Sequence, residues 1–502
     1  MKRFFSMLWA LGPAMWVVLG ALFSCMDDDD YTTSPQARLS FSVDTVAFDT
    51  VISGQPANTR TFMVYNRNDD AIRLPEISLS GGTASAFRVN VDGTFLENGT
   101  GSGFEIAGKD SMYVFVEMTP PINHSDEPVE TKDDLIFVTE GGVRQTVVLT
   151  AFGQDVEPLY GQIVSNDTTF SSPMPYQIFD SLVVASGATL TISEGVRLYF
   201  HPESRLIVHG TLRVEGTLSR PVLMRGDRLG NMFTDQPYDR IPAQWGGVEF
   251  TAESFGNVIS YADIHSGTFG LRCDSSGTER EKLRLENSIL HNFSGDALYA
   301  RMSRIFVGNT QITNAGGNCV TLYGGDNTFI HCTIGNFYAF TGGRGVALEF
   351  SNEDNGIPLP LQRADFANCI ITGYSSDEIM GHASDRYRDE PFNYSFRYCL
   401  LDTPEYEDEH IVGSLWDSDE NEVYRDGNFT PEFDLDRLLF SFGLSPASQA
   451  VGTADPEISR TYYPFDRNGQ NRFADGAPDM GCYEGVFTDE TSGNLLINNM
   501  TW

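Results

Sequence analysis

The sequence predicts an all-β protein, a β-sandwich followed by a parallel β-helix solenoid. Short apolar strands separated by Gly-, Asn- and Asp-bearing turns run through most of the 502 residues, and no amphipathic helix of ordinary length interrupts them. In the second half, six segments align on one aliphatic position at recurring spacing, the mark of a unit that stacks on copies of itself. Composition agrees. Hydrophobic residues make up 41% and aromatics 12%, enough for packed cores, which excludes a wholly disordered acidic chain. Against 33 Lys and Arg stand 69 Asp and Glu, a formal net charge of −36. No basic stripe is present to meet phosphates, so nucleic acid is excluded as a partner.

Residues 1–24 read as a secretory signal: Lys2 and Arg3, then an apolar run over 4–23, then Ser24 before Cys25. The run is long enough for a membrane span, but Gly12-Pro13 in its middle and the cysteine at its end argue against one. Leu22-Phe23-Ser24-Cys25 resembles the bacterial lipobox, which implies cleavage before Cys25 and acylation of its thiol; Phe23 is bulkier than that pattern prefers. Cleavage removes Lys2, Arg3 and no acid, taking the charge from −36 to −38. The four aspartates at 27–30 resemble the acidic export signal of Bacteroidota lipoproteins, which implies a lipid-anchored protein on the outer face of the outer membrane. Residues 25–38 are then an acidic tether, with 31–38 as its flexible part.

Residues 39–158 alternate apolar and polar positions, as in Phe62-Met63-Val64-Tyr65, Met112-Tyr113-Val114-Phe115-Val116 and Val147-Val148-Leu149-Thr150. Turns at 68–70, 81–82 and 141–142 separate them, a sandwich pattern. The polar turn after Asn66, the entry at 104–108 and the closing Thr150-Ala151-Phe152-Gly153 resemble immunoglobulin-like domains of the abnormal-spindle and hydin type, which implies a spacer or binding module.

Residues 159–485 carry the repeat. Aligned positions Ile264, Leu290, Ile312, Ile334, Ile371 and Leu401 are 26, 22, 22, 37 and 30 apart, a 22-residue coil with insertions, as a three-sided β-helix needs. Two residues earlier stand Ala262, Ser288, Thr310, Cys332, Cys369 and Cys399, small residues on the same inward face. Two residues later stand Asn292, Asn314 and Asn336, placed for an Asn ladder in which each side chain bonds the next coil. Cys332, Cys369 and Cys399 thereby read as small packing residues. Cys273, Cys319 and Cys482 carry no assigned role; the spacing of the six matches no zinc pattern and leaves their disulfide status open. Residues 486–502 form a C-terminal tail.

The signal, the sandwich, Gln244-Trp245-Gly246-Gly247-Val248, the Asn-bearing coils and the closing Pro478-Asp479-Met480-Gly481-Cys482-Tyr483-Glu484 together resemble right-handed parallel β-helix lipoproteins of Bacteroidota, within the pectin-lyase-like superfamily. That resemblance implies a right-handed helix and, since one fold hosts many functions, little about activity. The superfamily's hydrolases carry Asn-x-Asp, Asp-Asp, Gly-His-Gly and Arg-x-Lys on consecutive coils; the helix part lacks the Asp-Asp and the Gly-His-Gly, so the set is not there. Asp263, Asp296, Glu349 and Asp365 are acids from which a catalytic pair could come, and nothing in the sequence selects one. A lyase needs a basic residue; the helix part holds one lysine, Lys282, and Arg301, Arg304, Arg344 and Arg363 read as partners of the abundant acids. His265 and His291 share an outward column that His331 does not, and all three read as exposed strand residues. No catalytic residue and no metal ligand is assigned.

Two insertions stand out, because long loops on rigid scaffolds often carry function. Residues 228–244 hold Tyr238 and lead into Trp245, the two candidate glycan contacts, although a tryptophan there is more often packed under the loop; residues 402–426 are strongly acidic and aromatic. Asp417-x-Asp419-x-Asn421 starts like a calcium loop but lacks the glycine at the sixth position. No cofactor is required, calcium being the one ion that enters as an option. Asp followed by Thr or Ser at Thr45, Thr50, Ser111, Thr168 and Ser181 resembles the O-glycosylation signal of exported Bacteroidota proteins. The expected function is non-catalytic binding of a polysaccharide or another surface component; the alternatives are a polysaccharide lyase or glycoside hydrolase, and a structural or adhesive role.

Overall fold

The computed structural model describes residues 31–233, 236–430, 438–485 and 487. Cys25, the aspartates at 27–30 and residues 488–502 of the tail lie outside them. The chain divides into two compact units, with the boundary after Gln154 and residues 124–127 belonging to the second.

The first unit is the predicted sandwich. One five-stranded sheet runs in the order Leu39–Phe41, Arg60–Asn66, Ser111–Met118, Phe87–Val91, Thr94–Phe95; the other runs Thr45–Ile52, Arg144–Gln154, Val129–Val138, Glu76–Leu79, Thr100–Gly101. Strict alternation explains the layering: Met112, Val114, Val116 and Met118 face the core, while Tyr113 and Phe115 face out. Asn66 is fully buried at its turn because its amide donates to the carbonyls of Asp70, Ile106 and Ala107. Residues 31–38, expected as a free tether, pack on this unit instead. Thr32 N–H donates to Ala71 O, Arg73 lies over the Tyr31 ring, and Ala37 joins the core.

The second unit is the β-helix. Its walls are three parallel sheets of 11, 9 and 10 strands, counted over the described residues. Wall A runs from Glu157–Tyr160 to Leu415–Trp416, wall B from Ile163–Val164 to Ile379–His382, and wall C from Thr168–Phe170 to Ile411–Val412. Nine coils are therefore complete, fewer than 327 residues at 22 per coil would make, because insertions and the closing segment take up chain. The register predicted for wall A holds at every step: Ile264 pairs with Leu290, then Ile312, Ile334, Ile371 and Leu401. All six are fully buried, as are the six small residues two positions earlier.

That small column explains itself chemically. Each residue follows a left-handed turn residue: Tyr261, Asn287, Asn309, His331, Asn368 and Tyr398 all have φ between 47° and 55°. Past the turn, the backbone N–H needs an acceptor, and the side chain one coil on supplies it. Ala262 N–H donates to Ser288 Oγ, Ser288 N–H to Thr310 Oγ1, Cys332 N–H to Cys369 Sγ and Cys369 N–H to Cys399 Sγ. The thiols in turn donate to carbonyls two residues back. Six cysteines are free and buried; burial pushes the thiols of Cys273 and Cys482 up to about 12 and about 11. The amide-to-amide bond lies in the turn column, Asn309 Nδ2 to Asn287 Oδ1 at 2.8 Å. Asn292, Asn314 and Asn336 do stack and are buried, but they bond backbone: Asn314 accepts from Phe337 N, Asn336 accepts from Ala315 N, and Asn292 donates to Arg240 O.

The outer face of wall A is not open. Residues 438–485 fold back over it and build a second apolar core of Phe337, Ile370, Leu400, Phe429, Phe442, Leu444, Ala450, Ala454 and Met480. The motif at 478–484 is the clasp. Gly481, at φ +87°, donates to Asn368 O; Cys482 N donates to Thr333 Oγ1; Tyr483 OH donates to Gln311 Oε1. Fully buried Arg472 donates to Asn309 Oδ1 and Gly481 O and pairs with Glu484. No described helix is long and apolar enough to cross a membrane.

Candidate functional site

Loop 228–244 covers the middle of wall A and buries residues beneath it. Trp245 is 1% exposed, stacks on Phe200 at 4.1 Å and donates Nε1–H to His265 O at 2.8 Å. It is a packing residue, not a sugar platform, because the loop it follows turns it inward. Tyr238 is half-buried with Arg228 over its ring. His265, expected to be exposed, is buried, and its two ring nitrogens face Asp263 Oδ1 at 2.8 Å and Asp239 Oδ1 at 2.6 Å. His291 Nε2 reaches Asp263 Oδ1 at 3.2 Å, and Arg225 reaches Asp239 at 2.6 Å. Burial alone would lower the His265 pKa; Asp239 and Asp263 outweigh it and hold the ring up at about 9. Conversely, burial would raise both carboxyls, and His265, foremost among their partners, holds them well below the usual carboxylate range. His331 lies elsewhere, buried between Ser459 and Gly481 in the clasp.

The acids expected to supply a catalytic pair separate. Asp263 belongs to wall A, and Asp365 on wall C accepts from Ser395. Asp296 and Glu349 come together at wall B. Asn318 bridges them, donating its backbone N–H to Asp296 and its amide to Glu349, and Thr321 OH donates to Asp296. Tyr323 OH donates to Glu349 at 2.8 Å. Burial raises the Asp296 carboxyl, with Glu349 adding to it. The arginines pair as read: Arg301 with Asp354, Arg304 and Arg363 with Asp326, Arg344 with buried Glu378. Lys282 is fully buried and donates to Thr251 O and Ser254 O, a structural role.

The open concavity is at the C-terminal end of the helix. Wall B ends one strand short of wall C and two short of wall A, and residues 402–410 cross the gap as a loop. Two adjoining hollows of about 470 and 270 Å3 share Tyr406. The first is lined by Glu407, Asp408, Glu409 and Trp416; the second by Phe350, Asp377, Phe392 and Tyr394. Tyr406 is 51% exposed, Trp416 is half-buried and their rings are 5.9 Å apart. Tyr394 OH donates to Asp408. This is the acidic insertion that the sequence singled out. Its Asp417 is no calcium loop: the carboxylate is buried and accepts from Arg425 N, Thr372 and Asn428. The sequence could not place buried Phe350 or half-buried Phe392 and Tyr394 here, since the hollow they line depends on where wall B ends.

Among the O-glycosylation candidates, Thr45 and Thr168 are exposed, while Thr50, Ser111 and Ser181 are half-buried.

No protein-family model matches the chain, and no curated protein matches it in sequence. Among solved structures, an ASH/PapD-like domain of human CEP192 aligns at 11% identity over 25% of this chain and 92% of that one, with a TM-score of 0.17. A family 123 glycoside hydrolase from Clostridium perfringens aligns at 8% over 24% of this chain and 26% of that one, TM-score 0.18. The catalytic domain of a GH87 alpha-1,3-glucanase aligns at 8% over 72% of this chain and 88% of that one, TM-score 0.17. Likenesses this weak fix no activity.

Proposed function

We propose that this chain is a non-catalytic glycan-binding protein of the cell surface, held to the outer membrane by a lipid on Cys25, and that the cleft around Tyr406 and Trp416 takes the glycan. The observation that carries the reading is the cleft itself: flat ring faces of Tyr394, Tyr406 and Trp416 rimmed by carboxylates. Aromatic faces bind the apolar face of a sugar ring while polar rims accept from its hydroxyls. A net charge of −36 disfavours polyuronates unless calcium bridges them.

The test is native affinity electrophoresis of residues 26–502 through gels holding one neutral or acidic polysaccharide each, with and without calcium, stained afterwards for intact glycan. Retardation without clearing, lost in Tyr406→Ala and Trp416→Ala, is expected. Retardation that survives both substitutions removes the cleft from the reading, and no retardation in any gel shifts the function to a structural or adhesive one. The lipid is tested by metabolic labelling with a radioactive fatty acid, which Cys25→Ala abolishes.

One observation favours hydrolysis as a second reading: Asp296, with its carboxyl raised, is linked through Asn318 and Thr321 to Glu349. A carboxyl raised by burial and linked to a second carboxylate is the kind of pair that glycoside cleavage uses. A cleared zone in the same gels that disappears in Glu349→Gln would establish it.

A further inference from the structure

We propose that Asp263, His265 and His291 form a binding site for a divalent transition-metal ion of the zinc class, with Asp239 of the covering loop holding His265 from its other ring nitrogen. The ligand atoms of Asp263, His265 and His291 all lie within 4.8 Å of one another. Asp263 Oδ1 is the hub, 2.8 Å from His265 Nδ1 and 3.2 Å from His291 Nε2. Ligands around a zinc ion, each about 2.0–2.2 Å from it, must themselves sit a little over 3 Å apart, so a small expansion of this cluster makes room. Two imidazoles and one carboxylate are a donor set that zinc accepts and that calcium and magnesium, which take oxygen ligands, do not.

The shell behind the ligands holds them in place. His265 and His291 stand on paired strands with ring centroids 4.5 Å apart, because equivalent positions on successive coils stack. The Trp245 indole fixes the His265 carbonyl, Ser266 OH fixes the Asp239 carbonyl at 2.6 Å, and Arg225 fixes the Asp239 carboxylate. Such outer partners orient ligands. His291 leaves 24% of its side chain exposed, which gives an ion an entry side on a site otherwise closed by the loop.

The test is titration of the metal-stripped protein with Co2+ alone, followed by visible absorption, and displacement by Zn2+, with bound metal counted after dialysis. One ion per chain and an intense low-symmetry cobalt spectrum are expected. His291→Ala should weaken binding ~10-fold or more, and His209→Ala, remote on a different wall and paired with Glu253, should not. Each variant's urea midpoint is measured without metal to confirm folding; Zn2+ should raise the midpoint of the parent protein and leave that of a folded His291→Ala unmoved. If His291→Ala does not fold, His291→Gln, which removes the imidazole and keeps much of its bulk, takes its place. Absence of the cobalt spectrum, or unchanged binding in the folded variant, overturns the proposal.

Discussion

Replacing Asp402 by asparagine should stabilise the protein at neutral pH and leave it unchanged in acid. Asp402 ends a wall A strand at 1% exposure, in line with Asp417 one coil on. Among the described residues, the donors to its carboxylate are Gly373 N at 3.3 Å and the Arg425 guanidinium at 3.4 Å. Burial, and then Asp417, push its carboxyl up to about 7 from 3.8. The native state therefore binds a proton that the unfolded chain has released between about pH 4 and pH 7, so stability falls as pH rises through that window. At 1.36 kcal/mol per pKa unit the loss is about 2–4 kcal/mol, the lower figure allowing for relaxation around Arg425. Asparagine mimics the protonated acid and keeps an acceptor for Gly373. Urea unfolding at about pH 4, 6 and 8 should give Asp402→Asn no advantage at the first and about 2–4 kcal/mol at the last. A difference that does not change with pH, or a variant less stable at about pH 8, would refute the reasoning and make the Arg425 pair the stronger effect.

Trp245→Ala should cost about 3–5 kcal/mol, and Trp245→Phe, which strands the His265 carbonyl, about 1–3; glycan retardation of the folded variants should match the parent. In residues 26–502, all six thiols should resist a thiol reagent in the native protein and react in denaturant, whereas a rapid native reaction would break the account of the cysteine column. Cys369→Ser should be milder than Cys369→Ala in a thermal melt, because serine still accepts from Cys332 N while alanine orphans it for about 1–3 kcal/mol. Gly308→Ala should loosen the clasp, since its Cβ would come within 1.9 Å of Tyr463 OH and displace that hydroxyl from Glu286; a drop of about 1–3 kcal/mol in urea unfolding is expected.

The wall A register was legible because it is written in each residue's own alternation: Ile264 to Leu401 recur in step with the coil, and the small column tracks them. The turn column was equally present, three residues upstream, yet tyrosine and histidine stand in it beside asparagine and hide the conformation they share. What the periodicity could not report is coverage. His265 and Gln311 look outward by alternation and are buried because loop 228–244 and the segment around Tyr483 lie on them. The same limit applies to the cleft in reverse. Phe350 reads as core, and it lines a hollow because wall B ends before its neighbours do. Residues 402–426 could be flagged from composition, since acids and rings concentrated in an insertion need no periodicity to be seen.

The clasp also changes how the stack should respond to load. In a bare solenoid each coil holds only the next, so the coils act as springs in series and the weakest fails alone. Here Tyr463 grips Glu286, Tyr483 grips Gln311, Arg472 grips Asn309, Cys482 grips Thr333 and Gly481 grips Asn368, all from one short stretch of chain. Those coils are coupled in parallel through a common strut. Pulled along the stacking axis, the clasped coils should yield together in one step at higher force, and the unclasped coils before Tyr261 should peel singly.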